Sequence, residues 1–338
     1  MKIYNLSLLL VMMVLVCVGC ATAPWQQWRE DIEAELNEGS LLADTPRGQI
    51  EYAIRGSGPV ILALHGSMGG YDSGLAIGQM LIQAVTESSN TRVSEITLLS
   101  VSRPGYLRTP LEVGASTAEQ ADAMADLLDF LGIDRVAVAG GSAGGPVALQ
   151  FALRHPDRCW GMILLCSVFE QKDIQDFSPF ERWYLSTAFS DRNSYRTLIR
   201  MERKPEKVLA GMHPATAKRL QEDPRLMEMA TLLMKTSFPM TLREKGTYND
   251  MRKERSFSWE LLSEICVPTI IMHGTDDEWA PVEIARRAAE EIPDAQYVEF
   301  EGADHLFFIT HSERFGNVIA LFIEENYPQN KYLEKTPS

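Results

Sequence analysis

The chain has 338 residues, of which 45% are apolar, 23% charged and 9% aromatic. That is the profile of a folded protein with a sizeable core, not of a disordered or collagen-like chain, and the length suits one elaborated α/β domain. The net charge of −14, from 46 acidic against 32 basic residues, creates a field that repels phosphate backbones and argues against nucleic acid as a partner.

Lys2 precedes an apolar run from Leu6 to Val18, and Gly19-Cys20-Ala21 follows before the chain turns polar around Trp25 and Trp28. A single basic residue, a short apolar core and small residues make an export signal over residues 1–19. The run falls short of the roughly 20 apolar residues that span a bilayer. Val18-Gly19-Cys20 resembles the processing box of bacterial lipoproteins, with Cys17 standing where that family has Leu. The resemblance implies acylation of Cys20 and a lipid-anchored protein of the bacterial cell envelope; plain periplasmic or secreted export is the alternative. Residues 20–47 are expected to form a tether, with Trp25 to Glu38 as a tether or covering helix. Cys159, Cys166 and Cys266 are an odd set of three and imply no disulfide framework. Cys166, in the apolar run Met162 to Cys166, reads as a buried small side chain.

From Gly48 onward short apolar strands alternate with amphipathic helices, the pattern of parallel strands joined by crossover helices. The strand candidates are Val60–Leu64, Ile96–Val101, Val136–Ala139, Met162–Cys166, Thr269–Met272 and Tyr297–Phe300. Near-continuous apolar runs suit strands covered on both faces. Ser116-Thr117-Ala118-Glu119 is a capping box opening a helix with Ala121, Met124, Leu128 and Leu131 on one face, closed by Gly132. Pro281–Ile292 and Ser312–Glu325 read as two more helices. Between about Ser167 and Ser256 no strand signal appears, and seven of the 15 methionines lie there. This stretch reads as a helical cap, with Pro179–Phe189 and Pro224–Lys235 its clearest helices. Its methionines could line a site or simply dock the cap. The expected division is 48–167 and 257–326 as core, 168–256 as inserted cap and 327–338 as tail.

The strand Val136–Ala139 runs into Gly140-Gly141-Ser142-Ala143-Gly144-Gly145 and then into a helix that ends before Pro156. So tight a turn forces the serine into a strained backbone and leaves no room for side chains two residues to either side. Gly-x-Ser-x-Gly in this setting resembles the nucleophile elbow of the α/β-hydrolase superfamily. A serine hydroxyl needs a base oriented by a carboxylate, and the superfamily's order is nucleophile, acid, histidine. His273-Gly274-Thr275-Asp276-Asp277-Glu278 resembles its acid loop, which selects Asp277, with Asp276 and Glu278 as competitors. Glu301-Gly302-Ala303-Asp304-His305 resembles its histidine loop and makes His305 the base. Leu64-His65-Gly66-Ser67-Met68-Gly69-Gly70 resembles its oxyanion loop, which implies an oxyanion hole made by the backbone N–H groups of Ser67 and Ala143. Ser102-Arg103-Pro104-Gly105-Tyr106 resembles a turn beside the site. His273 reads as a packing residue.

The resemblance covers roughly Gly48 to Glu325. It implies an α/β-hydrolase fold, a mostly parallel sheet flanked by helices with an inserted helical cap, and a cofactor-free, metal-free serine hydrolase whose partner is a small-molecule ester. Relatives with the same triad include aminopeptidases, carbon–carbon bond hydrolases, lactonases and perhydrolases. An aminopeptidase would need a cap carboxylate such as Glu181, Glu202 or Glu206 to meet the substrate amine. Enzymes with a carboxylate in place of Ser142 are disfavoured. A reading from another class is a binding or sensing protein that keeps the triad without turnover.

Overall fold

A computed structural model describes residues 23–87, 95–169, 175, 177–205, 209, 212–252 and 257–328. The apolar leader, Cys20 and most of the C-terminal tail lie outside these residues, as do Glu206 and the Glu181 side chain. No described helix is long and apolar enough to cross a membrane.

Helix α1 (Pro24–Glu38) leads into β1 (Leu41–Thr45) and β2 (Gly48–Gly56), which pair antiparallel. After β3 (Val60–Leu64) come α2 (Tyr71–Glu87), β4 (Thr97–Val101), α3 (Thr117–Leu131), β5 (Val136–Gly141), α4 (Gly145–Arg154) and β6 (Cys159–Leu165). Eight strands form one sheet in the order β1-β2-β4-β3-β5-β6-β7-β8, with β7 at Thr269–Gly274 and β8 at Gln296–Phe300. The β1–β2 and β2–β4 pairings are antiparallel and all others are parallel. The sheet therefore begins ahead of residue 48, inside the stretch expected to be a tether. Between β6 and β7 the described regular elements are helical, including α5 (Pro179–Ala188), α6 (Asp191–Arg203), α7 (Pro214–Glu222), α8 (Pro224–Lys235) and α9 (Glu244–Asp250). The chain closes with α10 (Val282–Glu291), the short α11 (Phe307–Thr310) and α12 (Ser312–Asn326).

Alternate residues of each central strand feed two cores, as the pleat requires. Leu62, Leu64 and Val138 join Met124, Leu128, Val147 and Phe151 on one face. Ile61, Ile163 and Met272 join Phe307, Phe315 and Ile319 on the other, and Met227, Met229 and Met234 of the helical insertion dock against that second cluster. These methionines anchor the insertion. Helix α3 starts at the capping box, where Ser116 Oγ accepts the Glu119 N–H (3.2 Å) and Glu119 Oε2 accepts the Ser116 N–H (2.9 Å), and it ends at Gly132 with φ 65°. Helix α1 is a covering helix: Leu36 is buried, its carbonyl accepts the Tyr71 hydroxyl (2.7 Å), and Trp28 packs on Tyr195 of α6.

Register explains where the site lies. Leu64 stands beside Gly140, Gly141 beside Leu165, Leu165 beside Met272, and Gly274 beside Phe300. The parallel strands end nearly level, so the loops that follow them meet along one carboxyl edge, where open α/β sheets bind their ligands.

Candidate active site

Ser142 follows β5 with φ 48°, a left-handed backbone that a non-glycine residue adopts only at a cost of about 1–3 kcal/mol. The neighbouring glycines make the turn possible. A Cβ on Gly140 would lie 2.8 Å from the Gly144 carbonyl oxygen and 2.8 Å from Ala148 Cβ, and one on Gly144 would overlap the Leu64 carbonyl oxygen. Strand, turn and helix thus pack without space for a side chain at Gly140 or Gly144.

The loop after β7 places Asp277 in the interior while Asp276 and Glu278 face solvent. Asp277 Oδ1 accepts the N–H groups of Trp279 (2.9 Å) and Ala280 (3.0 Å). Its Oδ2 accepts His305 Nδ1 at 2.7 Å. The structure thus joins Asp277, and neither of its neighbours, to His305. His273, at the end of β7, donates from Nε2 to the Ala280 carbonyl (2.6 Å) and lies 3.3 Å from Asp277 Oδ2. More than a packing residue, it braces the acid loop. Burial alone would raise the Asp277 pKa, but hydrogen bonds from His273 and His305 hold it well below the usual carboxylate range.

His305 spends Nδ1 on Asp277, which leaves Nε2 for a partner on the substrate side. Among the described residues Ser142 Oγ makes no hydrogen bond to His305; such contacts commonly tighten only with substrate in place. Burial lowers the imidazole's pKa, and Cys166 and Asp277 beside it raise it by more. Cys166 is buried, follows β6 with φ 40°, and has its ligand atom within 4.8 Å of those of Asp277 and His305. Its place in an apolar run concealed this neighbourhood. Trp279 is 75% exposed and its ring lies 5.1 Å from that of His305.

The loop after β3 passes directly over the elbow, for a Cβ on Gly66 would sit 3.0 Å from Ser142 Cβ. Met68, with φ 60°, turns this loop back. Among the described residues the Ser67 N–H has no protein acceptor. The Ser67 hydroxyl donates to Asp250 Oδ2 (3.1 Å). Asp250, from α9 of the insertion, also takes Arg103 through both oxygens (2.9 and 2.5 Å) and the Tyr106 hydroxyl (2.5 Å). Arg103 and Asp250 are almost wholly buried. This ion pair ties the insertion to the loops after β3 and β4, and sequence reading, which took the Arg103 turn alone, had no signal for its partner. Glu202 is exposed and pairs with Lys235 (3.3 Å). In the described residues the cluster with metal-ligating side chains close together is Cys166, Asp277 and His305, already joined in the histidine–carboxylate pair.

A mixed sheet with a strained serine and a histidine–carboxylate pair along one edge is the framework of a hydrolase. The chain belongs to the α/β-hydrolase fold family, whose family model matches residues 59–312. Among solved structures it is similar to an α/β-hydrolase fold protein from Nakamurella multipartita, with 29% identity, a TM-score of 0.72 and coverage of 84% of this chain and 99% of that one. Among characterised sequences it is similar to 2-hydroxymuconate semialdehyde hydrolase of Pseudomonas putida, 27% identical over 227 residues, which is 65% of this chain and 74% of that protein. A thermophilic esterase from Thermogutta terrifontis shares the fold, with 23% identity, a TM-score of 0.59 and coverage of 86% of this chain and 99% of that one.

Proposed function

We propose that the protein is a serine hydrolase that cleaves a carboxylic ester through an acyl-enzyme. The observation that carries the reading is the 2.7 Å His305–Asp277 hydrogen bond on the same sheet edge as the strained Ser142. Ser142 Oγ attacks the acyl carbon while His305 Nε2 takes its proton. The N–H groups of Ser67 and Ala143 receive the oxyanion as it develops. Collapse of the tetrahedral intermediate expels the alkoxide, which His305 protonates to the alcohol. Water, deprotonated by His305, then attacks the acyl carbon and releases the acid. Asp277 holds the imidazole in the required tautomer and balances its positive charge.

Nitrophenol release from acyl esters tests this. Wild type is expected to turn over and Ser142→Ala to lose about 10³-fold or more in kcat; ester hydrolysis unchanged by the substitution would refute it. The similarity to 2-hydroxymuconate semialdehyde hydrolase favours a second reading, carbon–carbon bond cleavage by the same three residues. Turnover of a vinylogous diketone in place of every ester would select it. Export with acylation of Cys20 completes the proposal and places the enzyme at the bacterial cell envelope.

A further inference from the structure

On the face of the sheet covered by α2 and α12, beneath the elbow, lies a cavity of about 60 Å³. Its upper wall is made by Gly66 and by Gly141, the residue before Ser142. A Cβ on Gly141 would meet nothing within 4 Å, so the space beside the nucleophile's backbone is open. Below it Ala63 of β3 and Ala139 of β5 stand side by side in register. Both keep some exposure although they belong to central strands, where the residues flanking each in sequence are larger or fully buried. Two alanines at adjacent positions leave a trough that Ile77 of α2 and Phe315 of α12 close from the helical side.

The lining is almost wholly apolar. Its one titratable member is His65, which burial and the Arg103 charge hold neutral, with Nδ1 donating to the Gly66 carbonyl (2.6 Å) and Nε2 accepting the Arg103 N–H (3.0 Å). Among the described residues, polar atoms contribute almost nothing to its surface. A cavity of this kind stays dry or takes an apolar guest.

We propose that this cavity receives the acyl chain of the ester, so that the enzyme selects unbranched apolar acyl groups. The inference rests on the serine-hydrolase reading above. Strands advance about 3.3 Å per residue, so the stretch from Ile61 to Leu64 spans about 10 Å, the length of an extended chain of about eight carbons. Each methylene taken from water into such a site raises the specificity constant about fourfold.

The test measures labelling rates of Ser142 by methyl and octyl fluorophosphonates, whose alkyl group occupies the acyl position, together with kcat/KM for acetyl and octanoyl nitrophenyl esters. Wild type is expected to favour the octyl over the methyl member at least tenfold in both assays. Ala139→Leu, which fills the trough, should lower that ratio at least tenfold, and Ala63→Val should lower it less; the second variant answers the question if the first does not fold. Ile77→Ala should move the preference to a longer chain. A ratio near one in wild type, or a ratio that none of the three substitutions moves, overturns the acyl cavity while leaving the hydrolase reading intact. Absence of any labelling at Ser142 overturns that reading and the cavity's role with it.

Discussion

Replacing Asp250 by alanine would leave the Arg103 guanidinium buried without its counter-charge. The side chains are 0% and 1% exposed, and the carboxylate takes two hydrogen bonds from the guanidinium as well as those from Tyr106 and Ser67. Removing one partner of such a pair costs about 3–5 kcal/mol, because the remaining charge keeps its desolvation penalty and loses its compensation. Unfolding entropy of about 2.1 cal/mol/K per residue over roughly 300 residues gives about 0.6 kcal/mol/K, so a loss of about 4 kcal/mol lowers the melting temperature by about 7 °C. Asp250→Asn keeps an acceptor and should fall between wild type and Asp250→Ala. Melts followed by circular dichroism, checked by urea titration with an unchanged m-value, read the effect. Activity should fall as well, by up to about 10²-fold in kcat, since Ser67 loses its anchor and the oxyanion loop its position. A loss below about 1 kcal/mol for Asp250→Ala would refute the reasoning, because the site would then relax or hydrate without penalty.

Gly144→Ala drives a methyl group against the backbone oxygen of Leu64, so the elbow must shift; kcat for esters is expected to fall by about 10²-fold, and a fully active variant would show that the turn has slack. Hydrolysis requires neutral His305, whose pKa lies above its ordinary value of 6.5 because Cys166 and Asp277 outweigh burial, so the acid limb of the kcat/KM profile should lie above pH 6.5 and move down in Cys166→Ala. The raised pKa of His305 stabilises the fold below about pH 6.5 and this contribution is lost as pH rises through the folded-state value, whereas the depressed pKa of Asp277 stabilises the fold above about pH 4 and is lost as pH falls through its folded-state value. Urea midpoints of Asp277→Asn and wild type should therefore converge in acid and separate toward neutral pH. Export and acylation predict that Cys20→Ala moves the protein from the membrane fraction to the soluble fraction, scored by blotting; an unchanged distribution would leave plain export.

The elbow was legible in the sequence because its cause is local. Gly140, Ser142 and Gly144 sit within one turn, and at Gly140 the sterics that demand glycine act within the turn and the helix that follows it, although at Gly144 the obstacle is the Leu64 carbonyl of a neighbouring strand. The capping box at Ser116 and the apolar strands of the central sheet were legible for the same reason. The β1–β2 hairpin was not, since Glu51 at its centre is wholly buried, and the groups that satisfy it are the Arg108 guanidinium (2.7 Å) and the hydroxyls of Ser40 and Ser102, elsewhere in the chain. Ile50, Tyr52 and Ile54 do alternate along β2, but the charged Glu51 between them reads as solvent-facing until its partners from other segments are in place.

Direction and long-range partnership belonged to the tertiary structure. Asp276, Asp277 and Glu278 differ in which way the loop turns them, and that is decided when His273 and the backbone of Ala280 close around one carboxylate. Cys166 looked like filler for a strand until the register of β6 with β7 brought it beside His305. Asp250 meets Arg103 across 147 residues of sequence, a contact no local pattern encodes. Residue types and turn geometry are properties of short segments and can be read from the sequence by itself; which side chains face one another at the site depends on strand order and register, and those form only when the whole sheet does.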